Sequence, residues 1–126
     1  MTSNRMCVLA LTAASAMACF APPAVAAKFD GSWSMVAVTT RGHCGTIPMG
    51  LGIKGGRIYA TGGSFAFYAI RLGGRVSATG NARINAVAGP RTANGTGRFR
   101  HTEASGMWKG RGPSGLCSGT WSANRS

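Results

Sequence analysis

Near the middle of the chain a short pattern is written twice. Gly55-Gly56-Arg57-Ile58-Tyr59-Ala60-Thr61-Gly62 returns as Gly73-Gly74-Arg75-Val76-Ser77-Ala78-Thr79-Gly80, each copy a glycine pair, an arginine, a short alternating run and a closing glycine. This is how a strand held between two tight turns is encoded, since glycine supplies the positive φ of hairpin turns and alternation sends successive side chains to opposite faces. Between the copies, Ser64 to Leu72 is the most apolar run outside the N-terminal segment. The centre of the chain therefore reads as strand, turn, strand, turn, strand. Beyond position 27 no long stretch shows a 3.6-residue period free of glycine, which argues against helix.

The same alternation extends outward. Trp33, Met35 and Ala37 alternate with Ser34, Val36 and Val38, a strand apolar on both faces. Arg41 to Gly45 reads as a turn, and Thr46 to Ile53 as a second strand, placed at an edge or bulged by Pro48, Gly50 and Gly52. Ile58 and Ala60 oppose Arg57, Tyr59 and Thr61, and Val76 and Ala78 oppose Arg75, Ser77 and Thr79. In the next strand Ala82, Ile84 and Ala86 oppose Arg83 and Asn85; after Pro90 and a turn at Asn94-Gly95, Phe99 opposes Arg98 and Arg100. A strand follows at Ser105 to Gly110, then a loop from Arg111 to Leu116. The closing strand puts Cys117, Gly119, Trp121 and Ala123 on one face. A one-residue slip would bury an arginine, so the register is well specified. The expectation is all-β: a single small antiparallel meander of eight or nine strands, forming a barrel or a strongly curled sheet.

Arg5, the apolar run Met6 to Ala21, Pro22-Pro23 and Ala24-Val25-Ala26-Ala27 have the layout of a helical secretory signal peptide, assigned to residues 1–27. The run is shorter than the roughly 20 residues that span a bilayer. An alternative is acylation at Cys19, after Ala16-Met17-Ala18. Residues 28–126 then form one β-domain, periplasmic or secreted. The domain keeps all but one of the 14 basic residues against two carboxylates, Asp30 and Glu103, a charge near +11 that must face water or an anionic partner. Cys44 and Cys117 remain as a pair in an oxidising compartment, where a disulfide is the default.

Several stretches resemble a family of small secreted proteins of rhizobia and related α-proteobacteria. They are Phe29-Asp30-Gly31-Ser32-Trp33, Cys44, Gly74-Arg75-Val76, Gly95 to Phe99, Gly106-Met107-Trp108 and Cys117 to Arg125. The likeness spans nearly the whole domain; it implies compartment and fold and no mechanism. Gly31-Ser32-Trp33 also resembles the opening of the calycins, the lipocalin and avidin type of barrel. That resemblance makes Trp33, Trp121 and Arg125 candidates for closing one barrel end, the tryptophan lying beneath an arginine from near the C-terminus.

The residues give little support to catalysis. A glycosidase pair would have to be Asp30 and Glu103, both turn-type positions, and no Gly-x-Ser-x-Gly elbow accompanies His43 or His101. His43, Cys44, His101 and Cys117 match no zinc-site spacing. The expectation is a non-enzymatic module without metal or cofactor. Its distinctive feature is a face bearing Arg57, Tyr59, Arg75, Arg83, Arg98 and Arg100, suited to anionic polysaccharide, lipopolysaccharide or nucleic acid, or else serving solubility alone. The alternative is a calycin-like carrier of a small ligand, or a protease inhibitor. For the carrier, Phe65, Phe67, Tyr68 and Ile70 of the central strand supply either core or pocket.

Overall fold

The computed structural model describes residues 28–126. Residues 1–27, where a signal peptide is expected, lie outside the described residues, and Cys7 and Cys19 with them. Ten strands follow in order: β1 Gly31–Arg41, β2 Thr46–Lys54, β3 Arg57–Gly62, β4 Ser64–Phe65, β5 Tyr68–Ala69, β6 Arg71–Val76, β7 Asn81–Ala88, β8 Arg91–Phe99, β9 Glu103–Gly112 and β10 Gly115–Arg125. Eight of them close an antiparallel barrel in the order β1-β10-β9-β8-β7-β6-β3-β2, and β4 and β5 form a separate small hairpin. The expected all-β barrel is what the chain forms, and no helix occurs among the described residues.

Alternation decides which side chains enter. Trp33, Met35 and Ala37 are buried, while Val36 and Val38 face out, so β1 is apolar on both faces but buries one. Cys117, Trp121 and Ala123 share the inner face of β10 as their spacing implies. An eight-stranded barrel is just wide enough inside for side chains to fill it. Here they fill one half. Phe29, Trp33, Leu51, Ile53 and Phe99 are all but fully buried there, with Trp33 meeting Phe99 edge-on at 4.8 Å between ring centroids.

Of the two forms expected for β2, the bulged one is found and the edge one is not: β1 pairs along it and β3 joins from Gly50 onward, with a register shift between Gly50 and Leu51. Pro48 sits in the part paired on one side only, where proline is tolerated. Three other sequence expectations fail for identifiable reasons. The two glycine-arginine copies are not equivalent. Gly55-Gly56 is a turn, but Gly73-Gly74 lies inside β6, and Ser77 to Gly80 forms the turn instead, leaving Ala78 exposed. Gly74 has φ +127° and presses against the Arg83 backbone, a close approach only glycine permits. Asn94-Gly95 is likewise not a turn but mid-β8, the turn falling at Gly89-Pro90.

The third is the apolar run. Ser64 to Leu72 is not a central strand. It breaks into the β4-β5 hairpin, whose central residues Ala66 and Phe67 take φ +52° and +73°. Phe67 is fully exposed and Tyr68 about half exposed, whereas Ile70 is buried. Of this run, Phe65, Ile70 and Leu72 turn toward the barrel interior.

Candidate functional site

The two ends of the barrel differ in chemistry. One end carries the β2-β3, β6-β7 and β8-β9 turns and both chain termini of the domain. Here Arg125 spans the opening: its Nη1 donates to the Asp30 carbonyl at 2.7 Å, Nη2 to that of Lys28 at 3.0 Å and Nε to that of His101 at 3.0 Å. The guanidinium lies 4.7 Å from the Trp33 ring, and the Trp33 indole N–H donates to the Phe29 carbonyl at 3.0 Å. Gly31 has φ +132°, and a Cβ there would come within 3.2 Å of Arg125 Nη1. The glycine, the tryptophan and the arginine thus act as one plug. Trp121, the other candidate for closure, sits a layer deeper, its ring 5.9 Å from Phe99.

The other end is open. The Cys44–Cys117 disulfide joins the β1-β2 turn to β10 there. Beneath the opening lies an apolar cavity of about 110 Å³, with Met35, Ile84, Leu72, Trp108 and Trp121 among its lining residues. The hollow exists because the neighbouring positions are small: Ala86, Ala88, Ala93, Gly95 and Gly110. Both tryptophans lie flat along the wall over glycine. Trp121 crosses Gly106, its register partner on β9, so that its indole N–H reaches the Thr96 carbonyl of β8 at 3.2 Å. Trp108 crosses Gly119 of β10 and donates to the Val38 carbonyl of β1 at 3.3 Å. Glycine inside a strand marks such a close approach.

The expected arginine face is on the outer wall, near the plugged end. Arg57 pairs with Arg75 and Arg75 with Arg83, and Lys54 pairs with Arg57. Four cations therefore stand side by side across β2, β3, β6 and β7, neighbouring strands being ~4.8 Å apart. None of these four strands carries a carboxylate. Arg98 is the diagonal neighbour of Arg83, through Thr96, and approaches Asn81 Oδ1 at 3.5 Å. Tyr59 is one same-face step from Arg57, and a shallow groove runs along Lys54, Arg57, Tyr59, Gly73, Gly74 and Arg75. Arg100 falls outside the row, in the β8-β9 turn.

Sequence reading missed two cations. Lys54 lies just past the expected second strand, Thr46 to Ile53, yet it ends β2 opposite Arg57. Arg91 was hidden by the misplaced turn at Asn94-Gly95; once β8 is continuous, Arg91, Ala93, Gly95, Gly97 and Phe99 share the inward parity. Arg91 lines the cavity mouth with its guanidinium 5.4 Å from the Phe65 ring. Of the other candidates, Asp30 accepts hydrogen bonds from the Gly55 and Gly56 amides at 2.8 and 3.3 Å, and so holds the β2-β3 turn. Both cysteines of the zinc set are consumed by the disulfide.

No protein-family model and no curated protein sequence matches the chain. Among solved structures, it is similar to a redesigned β-barrel at 12% identity, with a TM-score of 0.58 over 81% of this chain and 95% of that one. At that identity the likeness concerns the fold alone: the chain is a β-barrel.

Proposed function

We propose that the protein is an exported, non-enzymatic β-barrel module that binds an anionic envelope component or polymer along its outer cationic wall. The observation that carries this reading is the row Lys54, Arg57, Arg75 and Arg83, each directly opposite the next. Like charges directly opposite one another in a sheet are destabilising. A face needing only solubility avoids that cost by interspersing acids; none of the four strands that carry the row has one, and Asp30, at the β2-β3 turn, is bonded to backbone amides. Spaced phosphates or carboxylates on a polymer would neutralise the row, release counterions and let Tyr59 pack against the chain or stack on a base. Export is supported by the disulfide, which belongs to oxidising compartments, and by the resemblance to secreted rhizobial proteins.

Arg57→Ser, Arg75→Ser and Arg83→Ser combined test the reading on lipopolysaccharide, heparin and DNA across a salt series. The expected result is a salt slope on the preferred polymer lower by about 3, one unit per cation removed. Thermal stability should be equal or slightly higher because repulsion is relieved. Unchanged retention on all three polymers would overturn the assignment.

A further inference from the structure

We infer that the open half of the barrel is a second binding site, for a small apolar carboxylate whose body enters the cavity and whose charge meets Arg91. The inference is independent of the outer wall, which lies near the other end of the molecule.

Three observations carry it. The first is the hollow itself. A cavity of about 110 Å³ lies between the Trp121 layer and the mouth, walled by aliphatic, aromatic and small residues. Cavities of this order, dry and apolar, are known to take a single aromatic ring. It suits one ring or a short branched chain and is too small for a long acyl chain.

The second is Arg91. It is the cation that faces inward on its strand, while Arg57, Arg75, Arg83 and Arg98 face out. An inward-facing cation at the rim of an apolar hollow is only partly hydrated, and among the described residues Arg91 has no carboxylate beside it; a ligand carboxylate supplies one in a geometry that arginine's planar fork matches bidentately.

The third is the distribution of charge between the ends. Arg41, Arg71, Arg91 and Arg111 lie at or near the strand ends that form the mouth. Both carboxylates of the described residues are elsewhere: Asp30 is bonded to the β2-β3 turn and Glu103 begins β9 opposite Asn124, both at the plugged end. The mouth is thus uniformly positive, which raises the local concentration of anions and repels cations. Over it sits the β4-β5 hairpin. Phe65 rests on Arg91 and Tyr68 packs on Gly89 of the β7-β8 turn, so the hairpin reaches across to the strands that carry the cation.

The test compares three ligands of nearly equal apolar body on the oxidised domain: phenylacetate, phenylethanol and phenethylamine. Binding is followed by tryptophan fluorescence and by the indole N–H signals. Phenylacetate should bind at least about tenfold tighter than the alcohol, the margin a charge-assisted hydrogen bond gives, and the amine more weakly than either. The Trp108 and Trp121 indole signals should move and that of Trp33, behind the plug, should not. Arg91→Gln should bring phenylacetate down to the level of phenylethanol. Ala93→Leu, which fills the hollow, should abolish binding of both. Equal affinity for acid and alcohol, or no binding of any of the three, would overturn the proposal without recourse to a variant. So would movement of the Trp33 signal alone.

Discussion

Trp33→Ala is expected to cost about 3 to 5 kcal/mol, the range for removing a buried aromatic side chain. A domain of this size has ~5 to 15 kcal/mol in all. The side chain is 1% exposed, meets Phe99 edge-on, lies under the Arg125 guanidinium and donates its indole N–H to the Phe29 carbonyl. Alanine would leave a void in the filled half, orphan that carbonyl and remove the ring on which Arg125 rests. Because Arg125 also binds the carbonyls of Lys28, Asp30 and His101, the loss should spread to both chain ends of the domain. Urea denaturation checks it, with Phe67→Ala as control: that ring is fully exposed, and its removal should change stability by less than about 0.5 kcal/mol. A Trp33→Ala loss below 1 kcal/mol would mean that the plug does not hold the barrel.

Replacing both Cys44 and Cys117 by serine should cost about 4 kcal/mol. The bond joins residues separated by 73 positions, and most of the effect arises in the unfolded chain, which gains freedom when that loop is opened. The barrel is separately closed by the β1-β10 ladder, running from Trp33 opposite Arg125 to Arg41 opposite Ser118. The double variant should therefore keep its far-ultraviolet spectrum at low temperature while its denaturation midpoint falls sharply. Loss of the β spectrum under native conditions would show instead that the disulfide is needed to form the sheet.

The strand alternation made most of the architecture readable from residues alone. Alternation placed Ile58, Ile84 and Phe99 on the face opposite Arg57, Arg83 and Arg98, because a period of two leaves such a strand only one workable register; for the Trp33 strand, apolar on both faces, it left the choice open. What it could not show was where glycine means a turn. Asn94-Gly95 looks like a hairpin turn, yet Gly95 and Gly97 are small because the Trp121 ring lies against them. Gly73-Gly74 looks like the turn Gly55-Gly56, yet it is where β6 and β7 approach too closely for a side chain. Both are contacts between residues distant in sequence, so no local pattern announces them.

The same limit governed the candidate sites. Arg57, Arg75 and Arg83 were recognisable as an outward set, but their alignment into one row, completed by Lys54, depends on the register between strands. The aromatic run Phe65 to Ile70 looked like core because its composition is apolar. Its backbone nevertheless turns at Ala66 and Phe67, and the core it seemed to supply is left partly hollow. Arg91 disappeared with the misread turn, and it could have been found by counting back from Phe99 in steps of two.

The outer wall and the mouth are proposed as separate sites for different anions. A single pair of titrations by nuclear magnetic resonance tests it: a short heparin fragment added to the domain, with and without saturating phenylacetate. Heparin should move the amides of Arg57, Arg75 and Arg83, leave the Trp108 and Trp121 indoles in place, and have the same midpoint in both titrations. Heparin shifts centred on Arg91 and the mouth, or a midpoint displaced by phenylacetate, would contradict it and reduce the two sites to one.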